Sequence, residues 1–409
     1  MKRRQFLASI GTAGALAATG LARPLAAAAD TAAPRPSAAA GPLPAPLSGT
    51  PAVFAPTPTS LTITLPLRSA AFARIEYGET TTLDRHAWSD PWGFVPHDAR
   101  VIKIRLLGLK PGTRYHWRAV LKPLDGEKES RTPVYSSKTL DPAAAGTRFT
   151  VWSDTHDKPP AIQKLHSLRS PDDDFLIWTG DLSNNVNDPA LLPGIYVSPK
   201  DVNLAEGPPI LLARGNHDVR GLWSNKMTDY VDFPTERPFY AFRSGPLAAI
   251  VLDTGEDKPD SHPSFKGVAA FAPLIEEQAG WLGKIIRHPI MRSAPYRLVF
   301  CHMPLRGTNE TPPDYNNKEY DRVCLRGRAV WHESLVSWGA QVIISGHIHR
   351  HVWLPANEKF PYAQLTAGGH NPAGATFIRG HAAPKELRLT TTRTFEDTLV
   401  HETTLPPLA

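Results

Sequence analysis

The 409-residue chain contains only two cysteines, Cys301 and Cys324. Two thiols do not make a disulfide framework, and neither has a Cys-x-x-Cys partner, which excludes a thiolate metal ribbon. Cys301 sits in an apolar run, so a buried free thiol and a Cys301–Cys324 bridge are both open. Long apolar runs are also missing. The stretch from Ala8 to Leu21 is too short and too rich in Ala and Gly to anchor the chain in a membrane, and no other segment could span one. Charge of one sign is scarce as well. The formal net charge is +6, but Lys2, Arg3, Arg4 and Arg23 supply four of those charges, and the remainder is close to neutral. No stripe of Lys and Arg interleaved with aromatics occurs, so nucleic-acid binding is not expected.

What is present begins with a targeting signal over residues 1–29. Lys2-Arg3-Arg4 precedes Phe6-Leu7, a small apolar stretch follows, and Ala26–Ala29 offers a cleavage site. The paired arginines resemble the bacterial twin-arginine export signal, which implies an exported, periplasmic or extracellular protein and the export machinery as a partner. Residues 30–50 are Ala, Pro, Ser and Gly with few large side chains and read as a linker. From 51 to 141, short period-2 runs are divided by turns: Ser60–Leu65, Ala73–Tyr77, Val101–Leu106 and Arg114–Val120. That pattern predicts a small antiparallel sandwich. The segment Gly108-Leu-Lys-Pro-Gly-Thr-Arg-Tyr115-His-Trp-Arg-Ala119 resembles a fibronectin type III domain, with Tyr115 as its corner tyrosine.

The character changes after Gly146. Six apolar runs, Arg148–Trp152, Phe175–Thr179, Ile210–Ala213, Leu247–Leu252, Arg297–Cys301 and Val342–Ser345, alternate with helix-like stretches such as Pro160–Arg169, Pro273–Arg287 and Arg328–Trp338. This predicts a layered α/β domain over 147–405 with buried strands. Five of the six runs deliver a potential ligand immediately after they end: Asp154 and His156, Asp181, Asn216, His302, and His347 with His349. Strand ends share one rim of an open sheet, so residues far apart in sequence converge there. Carboxylate oxygen and imidazole nitrogen are ligands for Zn, Mn and Fe ions. A single His-x-His would be weak, but five elements in phase with strands are not explained by turns and caps. Asp253 follows the remaining run and reads as a turn residue or a support behind the ligands, not as a ligand.

The ordered set Asp-x-His, Gly-Asp, Gly-Asn-His-Asp, His and Gly-His-x-His resembles the signature of the calcineurin-like metallophosphoesterases. Together with the sandwich before it, the chain is similar to proteins built like purple acid phosphatases. The resemblance implies a β-sandwich flanked by helices, acid phosphatase-like hydrolysis of a small phosphate ester, and two metal ions (Fe, Mn or Zn). One ion would be held by Asp154, His156, Asp181 and His349. The other would be held by Asp181, Asn216, His302 and His347. A water between them would act as nucleophile, with His217 as general acid and Asp218 orienting its ring. Two positions depart from purple acid phosphatases: His156 stands where they have Gly, and Asn184 where they have the tyrosinate ligand, so neither purple colour nor an obligatory ferric site is expected. His351 and His370 read as surface or supporting residues. Asn184, Asn185, Arg306, Arg326 and Arg328 are weaker candidates for phosphate contact, and Tyr196, Tyr315 and Tyr320 for lining a pocket. Hydrolysis of monoesters is the leading reading, diester hydrolysis on the same metal core the second, and an inert wall-binding protein the third; intact ligands disfavour the last.

Overall fold

The computed structural model describes residues 43–90, 100–124, 128–200, 202–310 and 320–408. The expected leader at 1–29, the linker up to 42, and Tyr315 lie outside the described residues. Residues 43–50 do not behave as a linker: Leu47 is fully buried and bridges to Leu67, and the Thr50 amide donates to Ser198 Oγ at 2.9 Å. The apolar Leu47 side chain accounts for the docking.

Among the described residues the first elements are β1 (Ala52–Phe54), β2 (Ser60–Pro66), β3 (Ala71–Gly78), β4 (Arg85–Trp88), β5 (Val101–Leu107), β6 (Arg114–Pro123), β7 (Ser130–Arg131) and β8 (Tyr135–Lys138). One layer runs β1-β2-β5; the other runs β4-β3-β6-β7, with β8 also on β6. Leu61, Ile63, Ile102 and Ile104 of the first layer pack with Ile75, Trp117 and Leu121 of the second. The Tyr115 hydroxyl accepts from the Lys110 amide at 3.0 Å, fixing the corner before β6.

There follow β9 (Thr147–Trp152), α1 (Pro159–Ser167), β10 (Phe175–Trp178), β11 (Ile210–Leu212), α2 (Met227–Tyr230), β12 (Tyr240–Ser244), β13 (Leu247–Val251), α3 (Phe271–Ile285), α4 (Pro289–Arg292), β14 (Tyr296–Phe300), α5 (Leu325–Trp338), β15 (Val342–Ser345), β16 (Val352–Leu354), β17 (Ala363–Thr366), β18 (Thr376–Ala382), β19 (Leu387–Arg393) and β20 (Leu399–Leu405). They build two facing sheets. The second sheet has the order β12-β13-β14-β15-β17-β16, with β13, β14, β15 and β17 parallel. Its inner strands β13, β15 and β17 are buried on both faces. Leu247, Ala249 and Val251 face the opposite sheet, whereas Ala248, Ile250 and Leu252 face α3 and α5. Two-sided burial is why these strands read as unbroken apolar runs. Helix α5 stops at Gly339, whose φ of +78° is the left-handed conformation that a helix terminus favours in glycine.

The first of the two sheets does not stop at the boundary expected between 141 and 147. Its order is β20-β19-β18-β9-β10-β11-β1-β2-β5, and β1 pairs parallel to β11 through Phe54 and Ile210. The Ala55 amide continues the ladder to the Ile210 carbonyl at 2.9 Å. The small sandwich thus shares one nine-stranded sheet with the layered domain. Both cysteines are buried and free, which decides between the two open readings.

Candidate metal centre

The carboxyl ends of β9, β10, β14 and β15, and the turn after β11, lie on one rim. The chain must turn sharply there, and the backbone shows the strain. Asp154, His156, Asp181, His347 and His349 all adopt positive φ, between +46° and +73°. Non-glycine residues seldom do so, and such outliers persist where the surroundings impose them. Glycines make room for the crowding. A Cβ on Gly346 would collide with Ser153 and Asp154, and one on Gly215 with Asp181.

The side chains converge as two overlapping sets. Asp154, His156, Asp181 and His349 offer ligand atoms within 4.8 Å of one another, and so do Asp181, His302 and His347. His156 Nε2 faces His349 Nε2 at 3.1 Å, and His349 Nε2 lies 3.2 Å from Asp154 Oδ1. Asp181 Oδ2 lies 3.4 Å from His156 Nε2 and 3.2 Å from His302 Nε2, so it touches both sets. Asn216 Oδ1 completes the second, 2.9 Å from His302 Nε2 and 3.0 Å from His347 Nδ1. His302 Nδ1 donates to the Thr179 carbonyl at 2.8 Å, which directs Nε2 inward. Asp154, Asp181, Asn216 and His302 are buried, while His349 is exposed and marks the open side.

Electrostatics test whether cations fit. Burial opposes ionisation of Asp154, but the imidazoles of His349, His302 and His156 hold it well below the usual carboxylate range. Asp181 shows the same balance between burial and His302 and falls to about 2. Burial disfavours charge on His302 too, yet Asp181 and Asp154 lift it to about 10. Burial and the neighbouring His302 push His347 down to about 3, and burial brings His156 to about 4. Among the described residues, neither Asp154 nor Asp181 pairs with a lysine or arginine. Two buried carboxylates ringed by imidazole lone pairs, balanced only by protons on histidine, are a donor set suited to two cations.

The residues expected to act around the ions are placed differently. His217 is at the site: its ring lies 4.7 Å from that of His156, and its amide donates to Asp181 Oδ1 at 2.8 Å. Asp218 does not orient that ring. Its carboxylate accepts from the Ser183 amide, the Ser183 hydroxyl and the Gly215 amide at 2.9–3.1 Å, so it braces the turn carrying Asn216. The His217 ring is held instead by the Asn184 carbonyl, 2.6 Å from Nδ1, and by Arg220, whose Nη1 is 2.9 Å from Nε2. Facing a carbonyl, Nδ1 carries the proton, and the lone pair is left on Nε2. Arg220 was not singled out from sequence; Glu256 and Asp257 bind its far side. The arginines that were singled out are engaged elsewhere: Arg306 donates to the carbonyls of Pro355 and Tyr362, Arg328 pairs with Glu310, and Arg326 lies near Asp260. Tyr196 is fully buried in the main core. Asp253 binds Arg214 at 2.8 Å and its own turn.

A family model described as calcineurin-like phosphoesterase matches residues 147–351. Among solved structures, the chain is similar to a purple acid phosphatase, PPD1, isolated from yellow lupin (Lupinus luteus) seeds. The TM-score is 0.65 at 13% identity, covering 87% of this chain and 74% of that one. It is also similar to PhoD, with a TM-score of 0.59 at 12% identity over 90% of each chain. Likeness at such identities speaks to the fold. No curated protein matches.

Proposed function

Because the chain belongs to the calcineurin-like phosphoesterase family, we propose that it is an exported phosphatase that hydrolyses small phosphate monoesters at a centre of two metal ions. The carrying observation is the convergence of seven donors, Asp154, His156, Asp181, Asn216, His302, His347 and His349, two of them buried carboxylates paired with no lysine or arginine among the described residues. Asp154, His156, Asp181 and His349 would hold one ion; Asp181, Asn216, His302 and His347 the other. Fe, Mn and Zn suit these N and O donors. When bound, such ions supply Lewis acidity toward a phosphoryl oxygen and lower the pKa of a water.

The chain's own residues supply the rest. His302 and Asp181 keep their donor atoms aimed inward through Thr179 and the His217 amide. Arg220 adds a fixed guanidinium beside the open rim, suited to the dianionic phosphate of a monoester. His217 remains our general acid, but with a condition. Arg220 Nη1 rests over its ring, 2.9 Å from Nε2 and 3.5 Å from Nδ1. Burial and that positive charge disfavour a second proton on the ring, so Arg220 must move to a substrate oxygen before Nε2 can carry a proton to the leaving group. The twin-arginine reading of Arg3-Arg4 and the fibronectin III-like reading of residues 51–141 complete the proposal. The leader motif and the Tyr115 corner are their respective support.

The deciding experiment compares an aryl phosphomonoester with an aryl phosphodiester, using purified mature protein given Mn²⁺, Zn²⁺ or Fe²⁺ in turn. Monoester turnover that chelation abolishes is the expected result. Turnover of the diester alone would replace the substrate class, and a folded, metal-loaded protein inert toward both would overturn the proposal.

A further inference from the structure

His370 was expected to play a surface or supporting part, and its position is more specific than that. Strand β17 is the fourth parallel strand of its sheet, and its carboxyl end reaches the same rim as the ligand-bearing strands. Ala367, Gly368 and Gly369 then turn the chain. Gly368 and Gly369 have φ of +141° and +104°, a region side-chain-bearing residues rarely enter. A Cβ on Gly368 would strike Asp154, and one on Gly369 would press on His349 at 3.4 Å. The glycine pair lets this turn close onto two ligand residues and sets His370 beside them.

The ring of His370 lies 5.0 Å from that of His156 and 5.5 Å from that of His349. Ring nitrogens of the three come within 4.8 Å of one another. His370 Nδ1 faces the Asp154 carbonyl oxygen at 3.3 Å. That contact places the proton on Nδ1 and leaves a lone pair on Nε2. We infer that His370 is a further protein ligand of the ion held by Asp154, His156, Asp181 and His349. The inference rests on the two-ion reading of the site. It makes the two positions unequal: three imidazoles serve the first ion and two the second. Imidazole-rich sets suit Zn, Fe, Cu or Ni, whereas Mg and Mn accept oxygen-rich ones. The first position then selects its metal more narrowly.

A competing role, bracing Asp154 through its carbonyl alone, separates cleanly in the test. Metal-free full-length protein labelled with nitrogen-15 in histidine is titrated with cadmium-113, following stoichiometry and scalar coupling by NMR. The expected result is two ions per chain and coupling to five histidines: His156, His302, His347, His349 and His370. His370→Asn retains an N–H near the place of Nδ1 but lacks Nε2. It is expected to show four coupled histidines and affinity for one ion weakened by about 10-fold or more. Two bound ions with only four coupled histidines in the wild type overturn the inference without needing the variant. So does a His370→Asn protein that binds both ions as tightly as wild type. A folded wild type that binds no ion overturns the two-ion reading itself.

Discussion

Arg220 Nη1 lies over the His217 ring, 2.9 Å from Nε2 and 3.5 Å from Nδ1, while its Nε and Nη2 are occupied by Glu256 and Asp257. One face of the guanidinium is anchored and the other rests on an imidazole at the metal rim. Charged hydrogen bonds contribute about 1.5–3 kcal/mol. Arg220→Ala is therefore expected to raise both KM for the monoester and the inhibition constant of inorganic phosphate by about 10- to 100-fold, with a smaller effect on a diester. Leaving buried Glu256 with only Lys258, at 3.4 Å, as a cationic partner should also lower stability, by about 3 kcal/mol at most. Steady-state kinetics beside urea denaturation separate the two effects; lost stability with unchanged KM would leave Arg220 as a brace only.

Asp181 is the carboxylate shared by both donor sets. Asp181→Asn should strip both ions, whereas Asn216→Ala should strip one. Elemental analysis after gel filtration reads this directly. Rates should fall by more than about 100-fold in each, beyond the 10- to 100-fold range of outer-shell partners. Full metal content in Asn216→Ala would move the second site away from Asn216.

Chelation should make stability depend on pH in a defined direction. In the metal-free protein, burial opposes the charge on His302, but Asp181 and Asp154 raise it from 6.5 to about 10. A raised folded-state value gives stability that is complete below 6.5 and is lost as pH climbs toward 10. Metal ions replace that proton. The Tm gap between loaded and chelated protein is expected to widen from pH 6.5 upward, measurable by scanning calorimetry. A constant gap would show that His302 does not balance the carboxylates.

A carboxylate remote from the candidate metal centre has the same sign of dependence. Burial lifts Asp173 from 3.8 to about 6, against a 2.5 Å hydrogen bond from Thr150. Its stabilising contribution is present below 3.8 and disappears as pH rises through about 6. At about 1.4 kcal/mol per pKa unit the effect is on the order of 3 kcal/mol. Asp173→Asn should flatten the stability profile between pH 4 and 6 in urea titrations, and a profile parallel to wild type would count against it.

Export is expected to stop when Arg3 and Arg4 are both changed to lysine, because the twin-arginine machinery reads the pair itself. Fractionation of a bacterial host reports the outcome. Undiminished export would assign the leader to the general secretory route.

Much of the layered domain was legible because β9, β10, β11, β13, β14 and β15 are buried on both faces and coincide with the six apolar runs. The ends of five of them supplied the seven candidate ligands directly. Strand β17 gave no such signal. It carries Gln364 in the core, satisfied by the Leu305 amide, the Ile343 carbonyl and Ser345 Oγ. Without that strand, His370 at its end read only as a surface or supporting residue. Arg220 was equally hidden, since its position depends on Glu256 and Asp257 from a different loop. Asp218 shows the converse: adjacency to His217 in sequence suggested a partnership that the turn geometry reverses. The β1–β11 pairing joins residues about 150 positions apart, which no local periodicity reports.

That pairing has a practical consequence for anyone shortening the chain. With β1 in place, β11 is an interior strand, its Ile-Leu-Leu segment covered on both edges and both faces. Cutting the chain between 141 and 147 would leave β11 as a bare apolar margin, the kind of surface that recruits strands from other molecules. An isolated 147–408 fragment is therefore a poor starting material for crystallisation or assay, because its own cut edge would drive it to aggregate.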